Sequence, residues 1–174
     1  MKTKINILLI TIISLFGCNG VSSDKKETNS TKYYYGEVIT TSADGTIPYG
    51  PVKYSLVKRT VFSDLKRIKE LVKQDGQVFD TDLTQVENSN QFSAKDSVGS
   101  FDGLVTFSDE KRNNWTYDIT FKTAPGKIIG NGVIDTEGIK TEKYFLDSAG
   151  VKMVKIVENL KEISEEGYSK LEKK

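Results

Sequence analysis

Few of the side chains that carry out chemistry are present. The 174-residue chain has one cysteine and no histidine, so the commonest general base and metal ligand is missing. A serine nucleophile would have only a lysine or a carboxylate to activate it. There is no G-x-S-x-G, P-loop or paired-cysteine pattern, and Gly130-Asn131-Gly132 lacks the third glycine and the strand-to-helix setting of a dinucleotide loop. Asp80-Thr81-Asp82 puts carboxylates at alternate positions, but the further oxygen ligands and the glycine of an EF-type calcium loop do not follow. Catalysis by two carboxylates, as in glycoside hydrolysis, depends on which acids a fold brings together. The inventory favours a protein that is not an enzyme, and it implies neither cofactor nor metal. The chemistry it does offer is a single thiol, Cys18, and an aromatic set, Trp115, Tyr117 and Phe121, suited to an apolar ligand.

The setting of Cys18 is informative. Lys2 and Lys4 precede an apolar run over residues 5–16, interrupted only by Asn6, Thr11 and Ser14. That is the length of a signal-peptide core and falls short of the roughly 20 apolar residues that span a bilayer. In Leu15-Phe16-Gly17-Cys18 a small residue stands directly before the only cysteine, and the stretch resembles the lipobox of bacterial lipoproteins. The resemblance implies a diacylglyceryl group on the Cys18 sulfur, cleavage that removes residues 1–17, and an acyl chain such as palmitate on the new terminus. It places the protein in the bacterial cell envelope, with the membrane as a partner through the lipid. Asn19 follows where Asp would favour inner-membrane retention, so the outer membrane is expected rather than the inner. At about 0.8 kcal/mol per buried methylene, two or more acyl chains hold firmly.

Charge and length bound the remainder. The precursor has 25 Lys and Arg against 24 Asp and Glu; without Lys2 and Lys4 the balance is 23 against 24, which gives nucleic acid no electrostatic hold. Less residues 1–17, the 174 become 157, enough for one domain with a core of its own. An acylated Cys18 leaves no disulfide, so the fold rests on packing. Residues 18–32 are polar and lack apolar periodicity, as expected of a flexible tether, and a single β-rich domain is expected over 33–174.

Strands are expected at 33–40 and 51–57, rich in aromatic and β-branched residues. Of Tyr33, Tyr34 and Tyr35, alternate rings should face the core and the outside. Val61, Leu65, Ile68 and Val72, with Leu71 beside them, recur at helical spacing against a charged face. Ser63 as N-cap and Gly76 as C-cap complete a predicted packed helix over 64–74. Basic residues concentrate in 53–73 and acidic ones in 75–102, either a surface for an anionic partner or charges that pair with each other. Residues 88–100 read as a long exposed loop.

Phe101, Gly103, Val105 and Phe107 share one parity, as do Trp115, Tyr117, Ile119 and Phe121, so a hairpin with an aromatic inner face is predicted. A strand over 127–134 follows, with Gly130 and Gly132 marking a bend or a close approach. Strands over 139–146 and 151–157 flank the turn Asp147-Ser148-Ala149-Gly150, the second with a bulge at Met153 and Val154. A terminal helix is predicted over about 158–166.

The fold class is thus α+β, mainly β: an antiparallel meander sheet or small barrel with one packed helix (64–74) and a C-terminal helix. Residues 99–134 resemble the barrel halves of transferrin-binding and factor H-binding surface lipoproteins, which run a Phe/Gly strand, a polar turn, an aromatic strand and a Gly-rich return. Three functions are compatible with these features. The first is a non-enzymatic protein-binding or surface-interaction module whose protein partner is unidentified. The others are a lipocalin-like carrier with Trp115, Tyr117 and Phe121 lining a cavity for a small apolar ligand, and an inhibitor or immunity lipoprotein.

Overall fold

The computed structural model describes residues 28–173 apart from 88, 98, 123 and 124; Cys18 and the expected signal-peptide stretch lie outside them. Ten strands run in chain order: β1 (Ser30–Ser42), β2 (Lys53–Val61), β3 (Arg67–Gln74), β4 (Gln77–Gln85), β5 (Gln91–Asp96), β6 (Phe101–Phe107), β7 (Asn114–Phe121), β8 (Lys127–Ile134), β9 (Gly138–Leu146) and β10 (Lys152–Ile163). Each pairs antiparallel with the next, and β1 pairs with β10 from Tyr33↔Ile163 to Ser42↔Val154, which closes an up-and-down barrel. Closure removes every free sheet edge. Among the described residues one helix, α1 (Glu165–Glu172), follows.

Alternation decides what the barrel holds. Tyr34, Val57, Ile68, Leu83, Phe92, Val105, Phe107, Trp115, Ile139 and Leu160 form the buried core. Between them on the strands stand outward residues such as Arg67, Lys69, Asp80, Asp82 and Asp118, tied in exposed ion pairs. A charged outer wall around an apolar interior is the reverse of a membrane-spanning barrel. Of the three tyrosines, Tyr34 is fully buried, whereas Tyr33 lies against Tyr168 of α1 and Tyr35 stacks on Tyr54 outside the wall. The strands expected over 101–107, 115–121, 127–134 and 139–146 are present, and the bulge near Met153 appears as a register shift between Lys152 and Val154.

Four expectations are corrected. No helix covers 64–74: this stretch is the β2–β3 turn and β3. The stripe of Ile68 and Val72 also fits a period of two once Glu70 is placed inward, where it meets Arg59 directly across the ladder. Asp75-Gly76 is no helix end but a two-residue hairpin turn, with φ positive at both positions (51° and 74°), the conformation that Asp-Gly adopts between strands whose twist it matches. Residues 88–100 are not one long loop, because β5 lies within them and turns Phe92 and Ala94 into the core. The terminal helix lies later than 158–166: β10 continues through Ile163, and Ser164 caps α1 by accepting from the Gly167 N–H at 3.1 Å. β1 also begins at Ser30, three residues inside the expected tether.

α1 packs outside the wall on β1 and β2. On that side Leu56 is buried although its neighbours Ser55 and Val57 face inward. Tyr168 is buried as well, and Lys73 meets Glu172 at 2.8 Å. The segregated charges pair across the β3–β4 ladder, Arg67 with Asp82 and Lys69 with Asp80.

Candidate functional site: the barrel cavity

The barrel is plugged at one end and hollow toward the other. At the plugged end Phe92, Phe107 and Trp115 pack edge-to-face or tilted, with centroids 5.0 and 6.2 Å apart. Two guanidinium groups lie on this cluster: Arg59 is 5.2 Å from the Trp115 ring and Arg112, from the β6–β7 turn, is 5.2 Å from Phe92. Cations over aromatic faces are stabilising where water is displaced. Arg59 also donates to Glu70 and, at 3.2 Å, to the Arg112 carbonyl, which ties the plug to the wall.

Above this floor is a cavity of about 410 Å³. It reaches Thr40, Lys53, Gln74, Phe79, Phe121 and Ile128, at the end where β1 joins β2, β3 joins β4 and β9 joins β10. That end carries exposed apolar side chains along one arc: Ile47, Tyr49 and Val52 between β1 and β2, Val78 and Phe79 on β4, and Val151 and Met153 before and on β10. Phe79 belongs to both sets, half exposed and lining the cavity. On the far side of the plug a second hollow, of about 710 Å³, shares Arg59 with the first.

The wall is mostly apolar, but its middle carries a polar belt. Lys143 on β9 donates to Glu158 on β10 at 2.8 Å, and Thr141 donates to the same carboxylate oxygen at 2.7 Å. Nearer the floor, on β2 and β3, stand Arg59 and its partner Glu70. Lys143 Nζ lies 5.4 Å from the Tyr117 ring centroid. Burial alone would discharge Lys143, yet the facing Glu158 carboxylate, by its charge and its hydrogen bond, reverses this and raises its pKa. Burial opposes ionisation of Glu158 too, and Lys143 together with the hydrogen bond from Thr141 outweighs it, so the carboxyl titrates below its ordinary range. The pair is therefore charged at neutral pH. The Tyr117 phenol is pushed up to about 12, chiefly by burial and against the pull of Lys143, and stays protonated.

The three aromatic residues singled out by sequence come together here at different depths. Trp115 forms the floor, Tyr117 the middle and Phe121 the part near the mouth. Gly132 makes the position of Trp115 possible, since a Cβ on it would lie 2.4 Å from the indole. Sequence reasoning missed the belt of Arg59, Glu70, Lys143 and Glu158. Its signal was a charge at an inward parity: Arg59 between Val57 and Val61, and Lys143 in phase with Ile139 and Thr141. Among the described residues no group of acids has the arrangement of a metal site, and no helix is long and apolar enough to cross a membrane. In comparisons with known proteins the chain matches no family model, and it matches no curated protein.

Proposed function

We propose that this chain is a lipid-anchored protein of the bacterial envelope whose barrel binds a small, largely apolar molecule without turning it over. The cavity carries this reading. Its volume of about 410 Å³ falls within the roughly 300–1,000 Å³ typical of small-molecule sites, which combine apolar walls with a few placed polar groups. The apolar arc at the mouth extends the greasy surface outward, so a ligand leaving a membrane need not cross a polar rim. Anchoring rests on the lipobox-like Leu15-Phe16-Gly17-Cys18; a mature mass that begins at an acylated Cys18, lost in Cys18→Ser, is the expected result.

The test of the cavity uses Trp115, the only tryptophan. Because its indole forms the floor, titration with a lipid extract of bacterial membranes should shift its emission, and a flat titration overturns the reading. A protein-binding role is the second reading, favoured by the exposed arc of Ile47, Tyr49, Val52, Val151 and Met153. Photo-crosslinking from position 47 in intact cells would capture a protein in that case, and lipid in the first.

A further inference from the structure

The polar belt narrows the ligand's chemistry, an inference that rests on the cavity reading above. Two basic and two acidic side chains face the lumen, and they close into two pairs, Arg59 with Glu70 and Lys143 with Glu158. At the mouth Lys53 is likewise matched, by Asp75 at 2.6 Å. With Asp75, just outside the lining, set against Lys53, the charges around the cavity balance. An anionic head group beside the belt would face Glu70 and Glu158, and a cationic one would face Arg59 and Lys143. In either case a charge loses its hydration without gaining a free counter-ion, which in a low-dielectric interior is strongly unfavourable.

Hydrogen-bonding capacity remains. The Lys143 ammonium has three N–H groups and gives one to Glu158; the carboxylate oxygen of Glu158 not bonded to Thr141 and Lys143 has no protein donor among the described residues; and the Tyr117 ring lies beside the ammonium, its centroid 5.4 Å from Nζ. A group that both donates and accepts fits between them and leaves both ion pairs intact. We propose that the barrel selects an uncharged amphiphile, an apolar body bearing a hydroxyl or amide head seated against Tyr117, Lys143 and Glu158, and discriminates against fatty carboxylates and amines.

The test titrates the purified full chain at neutral pH with decanol, decanoate and decylammonium, read by Trp115 emission. Decanol should bind about tenfold or more tightly than either ion, a ratio worth about 1.4 kcal/mol per decade. Any greasy hole prefers an alcohol to its ions, so the deciding measurement is a change in selectivity. In Glu158→Gln the unpaired Lys143 should improve decanoate relative to decanol at least tenfold, and in Lys143→Met the unpaired Glu158 should do the same for decylammonium. Glu70→Gln, which frees Arg59, serves as the second carboxylate variant should Glu158→Gln not fold. Ratios unchanged in the folded variants, or decanoate as good as decanol in the native chain, overturn the proposal while leaving the cavity reading standing. No response to any of the three probes overturns both.

Discussion

At the scale of single residues, the Lys143–Glu158 pair shows how charge is kept inside an apolar barrel. Each partner is held in its ionised form by the other against the effect of burial. A lowered Glu158 pKa makes its contribution to stability complete above the unfolded carboxylate value, about 4.3, and lost as pH falls through the folded one. A raised Lys143 pKa makes its contribution complete below about 10.4 and lost as pH rises through the folded one. The pair is therefore at full strength across neutral pH. Thermal unfolding followed by circular dichroism should show Glu158→Leu destabilised by about 3–5 kcal/mol at pH 7, because it strands Lys143 in the interior. The double variant with Lys143→Met should recover much of that loss, and its stability should fall less steeply than that of the native chain on acidification.

At the scale of elements, the β7–β8 ladder sets the floor of the cavity. Trp115 stands opposite Gly132 and Tyr117 opposite Gly130, and the missing side chain at Gly132 is the space the indole occupies. Gly132→Val should cost about 1–3 kcal/mol as an overpacking substitution. If it folds, Trp115 emission should move to the red as the ring is displaced toward the mouth, and unaltered emission would show that the indole does not depend on this gap. These strands were readable from sequence because Trp115, Tyr117, Ile119 and Phe121 alternate with polar Thr116, Asp118 and Thr120. β3 was not, because an inward Glu70 interrupts its alternation and the remaining apolar positions fit a helix as well as a strand. The two positive-φ residues of Asp75-Gly76 were the local mark of the hairpin.

For the whole molecule, topology relates the cavity to the proposed anchor. β1 starts with Ser30 paired to Val61 at the plugged end, while the mouth is ringed by the β1–β2, β3–β4 and β9–β10 connections at the other. Under the proposed anchoring at Cys18, a tether would join the barrel at its plugged end, and the mouth would point away from the membrane that holds the lipid. With spin labels placed singly at Glu110 and Tyr49 on the anchored protein, a relaxation agent dissolved in the bilayer should broaden the first more than the second. The reverse order would mean that the barrel folds back over its tether to drink from its own membrane.

The sequence by itself determined the apolar run that ends at Cys18, the shortage of catalytic groups, and the period-two face of Trp115, Tyr117 and Phe121, since each is a property of composition or of neighbours along the chain. Tertiary structure decided that the meander closes, that 67–74 and 158–163 are strands, and that Arg59, Glu70, Lys143 and Glu158 meet around one cavity. Closure rests on the pairing of β1 with β10, whose partners Tyr33 and Ile163 stand at opposite ends of the domain. An inward charge is tolerable only when a partner from another strand arrives beside it. Neither condition can be read from residues taken a few at a time, because both depend on which distant strands become neighbours.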